Sequence, residues 1–97
     1  MDSTLADVIA HLDSIDRKSV IYVASAQDWT GETPAVLLND PDGKYLSQKD
    51  NLTYFLEVWI ALEVIDVWRK WHKNPFPSLR QQLAAVIHYA VHDSYLE

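Results

Sequence analysis

No cysteine occurs in these 97 residues. Disulfides, thiolate metal centres and cysteine nucleophiles are therefore excluded. Glycine appears only at Gly31 and Gly43, which rules out a glycine-rich phosphate loop, and no nucleophile elbow is present. There are no repeats, no low-complexity tracts and no linker long enough to divide the chain. Basic charge is scarce: 8 Lys and Arg stand against 14 Asp and Glu, for a net charge of −6. Neutralising phosphates needs a basic surface, so nucleic acid is not the expected partner. The opening residues MDSTLADVIAHL carry acids where a secretory signal needs basic charge and an unbroken apolar run, so a cytoplasmic location is expected.

What the chain does have is the material for a core. It is 48% hydrophobic, enough for residues 1–97 to form one small single domain. The stretch Leu52–Trp71 (LTYFLEVWIALEVIDVWRKW) organises the rest, and Trp59, Trp68 and Trp71 lie in it. Its pattern predicts a helix of about five turns, apolar on nearly every side, which is the pattern of a buried helix. It is as long as a membrane span, but Glu57, Glu63, Asp66, Arg69 and Lys70 interrupt it, so no membrane association is expected.

Around this stretch the signals are local. Ser3 or Thr4 caps a first helix whose stripe is Leu5, Val8, Ile9 and Leu12, and which ends near Ser14 to Asp16. Ser19–Ala24 (SVIYVA) and Ala35–Asn39 (AVLLN) read as two short strands, joined by a polar loop that holds Trp29 and Glu32. Asp40-Pro41-Asp42-Gly43 is a turn, Lys44–Leu46 is a brief third strand, and Asp50 or Asn51 is the expected cap of the central helix. Asn74-Pro75-Phe76-Pro77 stops that helix. Ser78 and Gln81 then form a capping box for a last helix with the stripe Leu79, Leu83, Val86, Ile87, Ala90 and Val91. The order α-β-β-α-α predicts an α+β fold, with a two- or three-stranded sheet packed on the long central helix and the C-terminal helix.

On a helical wheel Glu63, Asp66, Arg69, Lys70 and Lys73 share one arc, with Phe55, Trp59 and Leu62 nearer its N-terminal end. Aromatic side chains beside a charged stripe are either covered by the rest of the chain or form a partner surface. Trp29, in its polar loop, raises the same question. The candidate partner-binding set is therefore Trp29, Glu32, Phe55, Trp59, Leu62, Glu63 and Asp66. Glu57 falls on the opposite, apolar arc. It is either an acid–base group or a carboxylate satisfied by nearby donors, and no second carboxylate or histidine is spaced to pair with it. His88 and His92 are four apart and can share a metal, but Tyr89 stands where the zinc-protease motif has glutamate. Two histidines without a third ligand hold zinc weakly, so no metal or cofactor is expected.

The run Tyr54-Phe55-Leu56-Glu57-Val58-Trp59-Ile60-Ala61-Leu62-Glu63-Val64 resembles the YFLEV-x-IA-x-EV central helix of a family of small acidic bacterial proteins. The tail from Ile87 to Tyr95 resembles that family's closing I-x-Y-A-x-x-D-A-Y, with Ser94 in place of alanine. The resemblance covers most of the chain and brings no catalytic residues with it. Similar short proteins serve as immunity proteins of bacterial toxin systems. The resemblance thus implies a non-enzymatic inhibitor that binds a basic toxin or nuclease domain, with Glu57, Tyr89 and Asp93 as a structural polar cluster. Two other readings stay open. One is a homodimer closed over Phe55, Trp59 and Leu62; the other is a small metal-binding enzyme that uses Glu57 or the His88/His92 pair.

Overall fold

The computed structural model describes residues 3–24, 28–38 and 52–95. Strand β1 (Ser3–Thr4) runs directly into helix α1 (Leu5–Ala10), and a 3₁₀ turn follows over Leu12–Ser14. Thr4 caps α1 through a reciprocal box. Its Oγ1 accepts from Asp7 N–H at 3.2 Å, and its own N–H donates to Asp7 Oδ2 at 3.1 Å. Two further orphan donors of the first turn are satisfied by the loop that leads into the strand at Pro34–Leu38. Leu5 N–H bonds to Thr33 O and Ala6 N–H to Gly31 O, both at 2.8 Å. That close approach suits a glycine. A Cβ at Gly31 would lie 3.0 Å from Leu83 Cδ1 and 3.3 Å from Ala6 Cβ.

Strands β2 (Val20–Ala24), β3 (Pro34–Leu38) and β4 (Leu52–Glu57) join β1 in a four-stranded antiparallel sheet of order β1-β3-β2-β4. Helices α2 (Val58–His72) and α3 (Leu79–His92) complete the fold, which is α+β. One core unites the elements. It takes Leu5, Val8, Ile9 and Leu12 from the N-terminal segment, Ile21, Val23, Phe55 and Leu56 from the sheet, and Val58, Ala61, Val64, Ile65 and Trp68 from α2, and Ala85 and Val86 close it from α3. No helix among the described residues is long and apolar enough to cross a membrane.

The central element departs from the sequence expectation. Residues 52–57 are a strand, and the helix begins only at Val58. Thr53, Tyr54 and Phe55 are strand formers, and β4 pairs with β2 along its length. The register breaks where Ile21 faces Leu56 but Tyr22 faces Tyr54, which leaves Phe55 as an extra residue. This bulge lets the consecutive residues Phe55 and Leu56 both enter the core. The sheet therefore gains a strand at each edge, β1 and β4, beyond the two central strands read from the sequence. The expected turn at 40–43, the strand at 44–46 and the cap at Asp50 or Asn51 lie outside the described residues.

The last helix follows its signals at the start and departs from them at its ends. Ser78 Oγ accepts from Gln81 N–H at 3.1 Å, and Ser78 N–H donates to Gln81 Oε1 at 2.8 Å. Leu79 and Val91, expected in the core stripe, are exposed. Leu79 is the first residue of α3, and Val91 lies in its last turn away from the face that buries Ala85 and Val86. Both α2 and α3 end on a left-handed residue, Lys73 (φ 51°) and Asp93 (φ 55°), whose N–H groups return to Arg69 O and Tyr89 O.

Candidate functional site

The outer face of α2 carries Trp59, Glu63, Asp66 and Lys70 into solvent, while Val58, Ala61, Val64, Ile65 and Trp68 face inward. The exposed residues recur at three- and four-residue steps, so they form one ridge along the helix. Beside the ridge the 3₁₀ turn packs on α2 and places Asp13 opposite it, with Arg17 on the connection to β2. The result is an open groove of about 530 Å³, lined by Asp13, Arg17, Trp59, Leu62, Glu63, Asp66 and Arg69. Trp59 is 49% exposed, the indole half covered and half presented. A second recess of about 250 Å³ adjoins it and shares Asp13 and Arg69 as its wall; it runs to Phe76 on the Pro75–Pro77 turn.

Four of the seven residues proposed from sequence, Trp59, Leu62, Glu63 and Asp66, thus meet in one groove. Phe55 does not join them. It is 2% exposed and has no surface to offer a partner. Its place on the Trp59 arc assumed a helix where the chain is a strand. Trp29 packs edge-on against Phe55, with ring centroids 5.3 Å apart, so it belongs to the rim of the core. Glu32 is exposed on the loop that caps α1, where its N–H donates to Thr30 Oγ1, and it does not line the groove. Asp13, Arg17 and Arg69 were not in the proposed set. Arg69 is legible on the flank of the helical wheel, but Asp13 and Arg17 arrive only through tertiary packing.

The charges of the groove are arranged unevenly. Asp66 Oδ2 accepts from Lys70 Nζ at 3.0 Å, the spacing of neighbours one helical turn apart. Among the described residues no ion pair joins Asp13, Arg17, Glu63 or Arg69. Arg69 Nε is buried and makes no hydrogen bond. Glu63 also acts in the other direction, towards the chain end. Burial raises the Tyr95 phenol above its ordinary range, and the Glu63 carboxylate adds to the shift. Tyr95 itself sits between Trp71 and Tyr89, at centroid distances of 5.8 and 5.2 Å, and so ties the last described residue back to the helix pair.

The other candidates have structural explanations. Glu57 sits at the β4–α2 junction as the residue before the helix, half-buried. Burial raises the Tyr54 phenol, and the charges of Glu57 and, more weakly, Tyr89 push it further up. Asp93 is engaged separately, as the left-handed cap of α3. Among the described residues no hydrogen bond joins the Glu57, Tyr89 and Asp93 side chains. His88 and His92 lie 4.5 Å apart by ring centroids, and no group of three or more metal-binding side chains is found among the described residues. His11 and His72 each donate from Nδ1 to a carbonyl one turn back, Asp7 O and Trp68 O, and the His72 ring stacks on Trp68 at 4.2 Å. Both imidazoles satisfy helix-end carbonyls. Comparison of the chain with protein-family models, with curated proteins and with solved structures finds no match.

Proposed function

We propose that this chain is a non-enzymatic, cofactor-free binding protein of the immunity type, acting in the cytoplasm to neutralise a toxin by docking on it through the groove on α2. The observation that carries the reading is Trp59, half exposed in a groove whose other lining residues are one leucine and five charged side chains. A large rigid aromatic with a polar surround is the usual anatomy of an interface anchor. The groove is open to solvent, which suits a macromolecular surface. The net charge of −6 supports a basic partner, since opposite overall charge speeds encounter. The resemblance of the Tyr54–Val64 run and the Ile87–Tyr95 tail to small acidic immunity-like proteins points the same way.

The test is co-expression with the product of the adjacent gene, followed by size-exclusion chromatography and titration calorimetry. A stable complex is expected. Trp59→Ala should weaken it by about thirtyfold or more, the scale of an interface hot spot of about 2 kcal/mol. A neighbouring product that forms no complex, or a Trp59→Ala variant that binds like the parent, refutes the assignment.

A further inference from the structure

The chain is acidic, but this groove is not. Asp66 is matched by Lys70 at 3.0 Å, and the four remaining charges, Asp13, Glu63, Arg17 and Arg69, are two of each sign. The excess negative charge of the chain therefore lies elsewhere. Although these four side chains line one groove, no ion pair among the described residues joins any of them. The chain's net charge steers a basic partner towards it, but where such a partner covers Arg17 and Arg69 it must present acids of its own. A surface that meets all four charges presents both signs together, around an apolar body broad enough to cover Trp59 and Leu62.

The chain carries such a surface in the groove itself. We propose that the α2 groove closes on the same groove of a second copy about a two-fold axis, with the arginines of each protomer facing the carboxylates of the other around the two Trp59 indoles. In a contact of this symmetry whatever residue i makes with residue j is made twice, so a face with equal numbers of both signs is self-complementary wherever the axis brings its arginines over its carboxylates. Phe76, 88% exposed in the adjoining recess that shares Asp13 and Arg69, extends the apolar area such a contact takes in. The inference rests on the groove being a docking face. Its consequence is that self-association and partner binding compete for one surface.

Charge reversal tests this without presuming which arginine meets which acid. One variant, Arg17→Glu/Arg69→Glu, makes the groove lining wholly acidic; the other, Asp13→Arg/Glu63→Arg, leaves Asp66, already paired with Lys70, as its one acid among four arginines. Sedimentation velocity and light scattering follow each from low-micromolar to millimolar concentration, with thermal melts to verify the fold. The parent mass is expected to rise from 11.2 kDa towards twice that value. Each reversed variant should stay monomeric alone, its dissociation constant raised roughly a hundredfold by like charges brought together. An equimolar mixture of the two should recover the dimer, and added salt should weaken it. A parent that stays monomeric throughout overturns the proposal, as do reversed variants that associate like the parent or a mixture that does not recover. Such a result leaves partner docking standing, because that is measured separately, with the adjacent gene product at concentrations where this chain is monomeric.

Discussion

Phe55 and Trp59 offer the sharpest test of the structure, because the two accounts of residues 52–57 assign them opposite fates. On one continuous helix they would sit one turn apart on the same exposed arc, and truncating either would cost little. In the structure Phe55 is a bulged strand residue, 2% exposed and edge-on to Trp29 at 5.3 Å, whereas Trp59 is 49% exposed on α2. Removing a fully buried phenylalanine costs about 3–5 kcal/mol, of which the ring–ring contact supplies about 0.5–1.5. For Trp59 the covered half of an indole is on the order of 100 Å², worth at most about 2.5 kcal/mol at 25 cal/mol per Å². Alanine's better helix propensity returns about 0.5 kcal/mol of that. Phe55→Ala should therefore be the costlier change by about 2 kcal/mol. It takes a large share of the roughly 5–15 kcal/mol available to a domain and lowers Tm by roughly 12–40 °C, at about 4–8 °C per kcal/mol. Urea unfolding followed by far-ultraviolet circular dichroism is the appropriate assay, since tryptophan fluorescence changes with the variant itself. Equal costs for the two substitutions would mean that the β4–α2 boundary is misplaced and the groove with it.

Further expectations concern the caps, one close approach and one ion pair. Ser78→Ala removes the acceptor for Gln81 N–H and should cost about 1 kcal/mol in urea unfolding. Gly31→Ala brings a methyl to 3.0 Å from Leu83 Cδ1 and 3.3 Å from Ala6 Cβ. Leu83 can swing aside but the α1 backbone cannot, so the loss should sit near the low end of overpacking, about 1 kcal/mol, by thermal melt. The Asp7 carboxyl is held below its ordinary 3.8, first by the Thr4 N–H and then by the Thr4 hydroxyl. Its stabilisation is then present above that ordinary value and lost as pH falls through the lowered one. Stability curves of the parent and Asp7→Asn should run a constant distance apart at neutral pH and converge below 3.8; curves that converge near neutrality would contradict this. Lys70→Ala breaks a pair whose side chains are 73% and 52% exposed, so its unfolding free energy from urea titration should change by no more than about 0.5 kcal/mol.

Where the sequence was readable, the deciding interactions are local. The start of α3 follows from Ser78 with Gln81, and the sequence narrows that of α1 to Ser3 or Thr4, of which Thr4 makes the cap with Asp7; both caps are pairs three residues apart that contact each other whatever the rest of the chain does. Strand β2 follows from a run rich in β-branched residues and β3 from a short apolar run between polar loops, both within a residue of the expected bounds. Strand β1 left no such trace, because its two residues are strand only through pairing with Ala35 and Pro34, some thirty positions away. The groove divides in the same way. Trp59, Leu62, Glu63 and Asp66 are fixed by the pitch of a single helix, and the wheel placed them together. Asp13 and Arg17 reach the groove because the 3₁₀ turn packs on α2, a contact between segments some fifty residues apart that no periodicity reports.

The misread boundary at Glu57 has a specific physical cause. A helix start is usually visible because a Ser, Thr, Asp or Asn side chain satisfies the first free N–H groups. Helix α2 has no such residue: Glu57 occupies the cap position with extended backbone (φ −72°, ψ 148°), and its side chain makes no capping hydrogen bond. The first helical donor, Val58 N–H, instead bonds to Ser19 O at 3.0 Å, a carbonyl just before β2. That bond continues the antiparallel pairing of β4 with β2, in which Glu57 faces Val20. The last step of the sheet ladder thus serves as the first cap of the helix, and strand passes into helix with no break in the apolar run. The same arrangement fixes the site, because the rotation of α2 about its axis is set where it leaves β4. A one-residue slip in the β2–β4 register would turn the ridge by about 100° and carry Trp59 out of line with Asp13 and Arg17. Ser19→Pro keeps that carbonyl but disfavours the local turn by removing the Ser19 N–H bond to Asp16 O (3.0 Å). It should therefore loosen the groove as well as the sheet. Hydrogen exchange at Val58 and the indole signal of Trp59 should report the two losses together, and protection lost at Val58 with an unmoved Trp59 indole would separate the site from the junction.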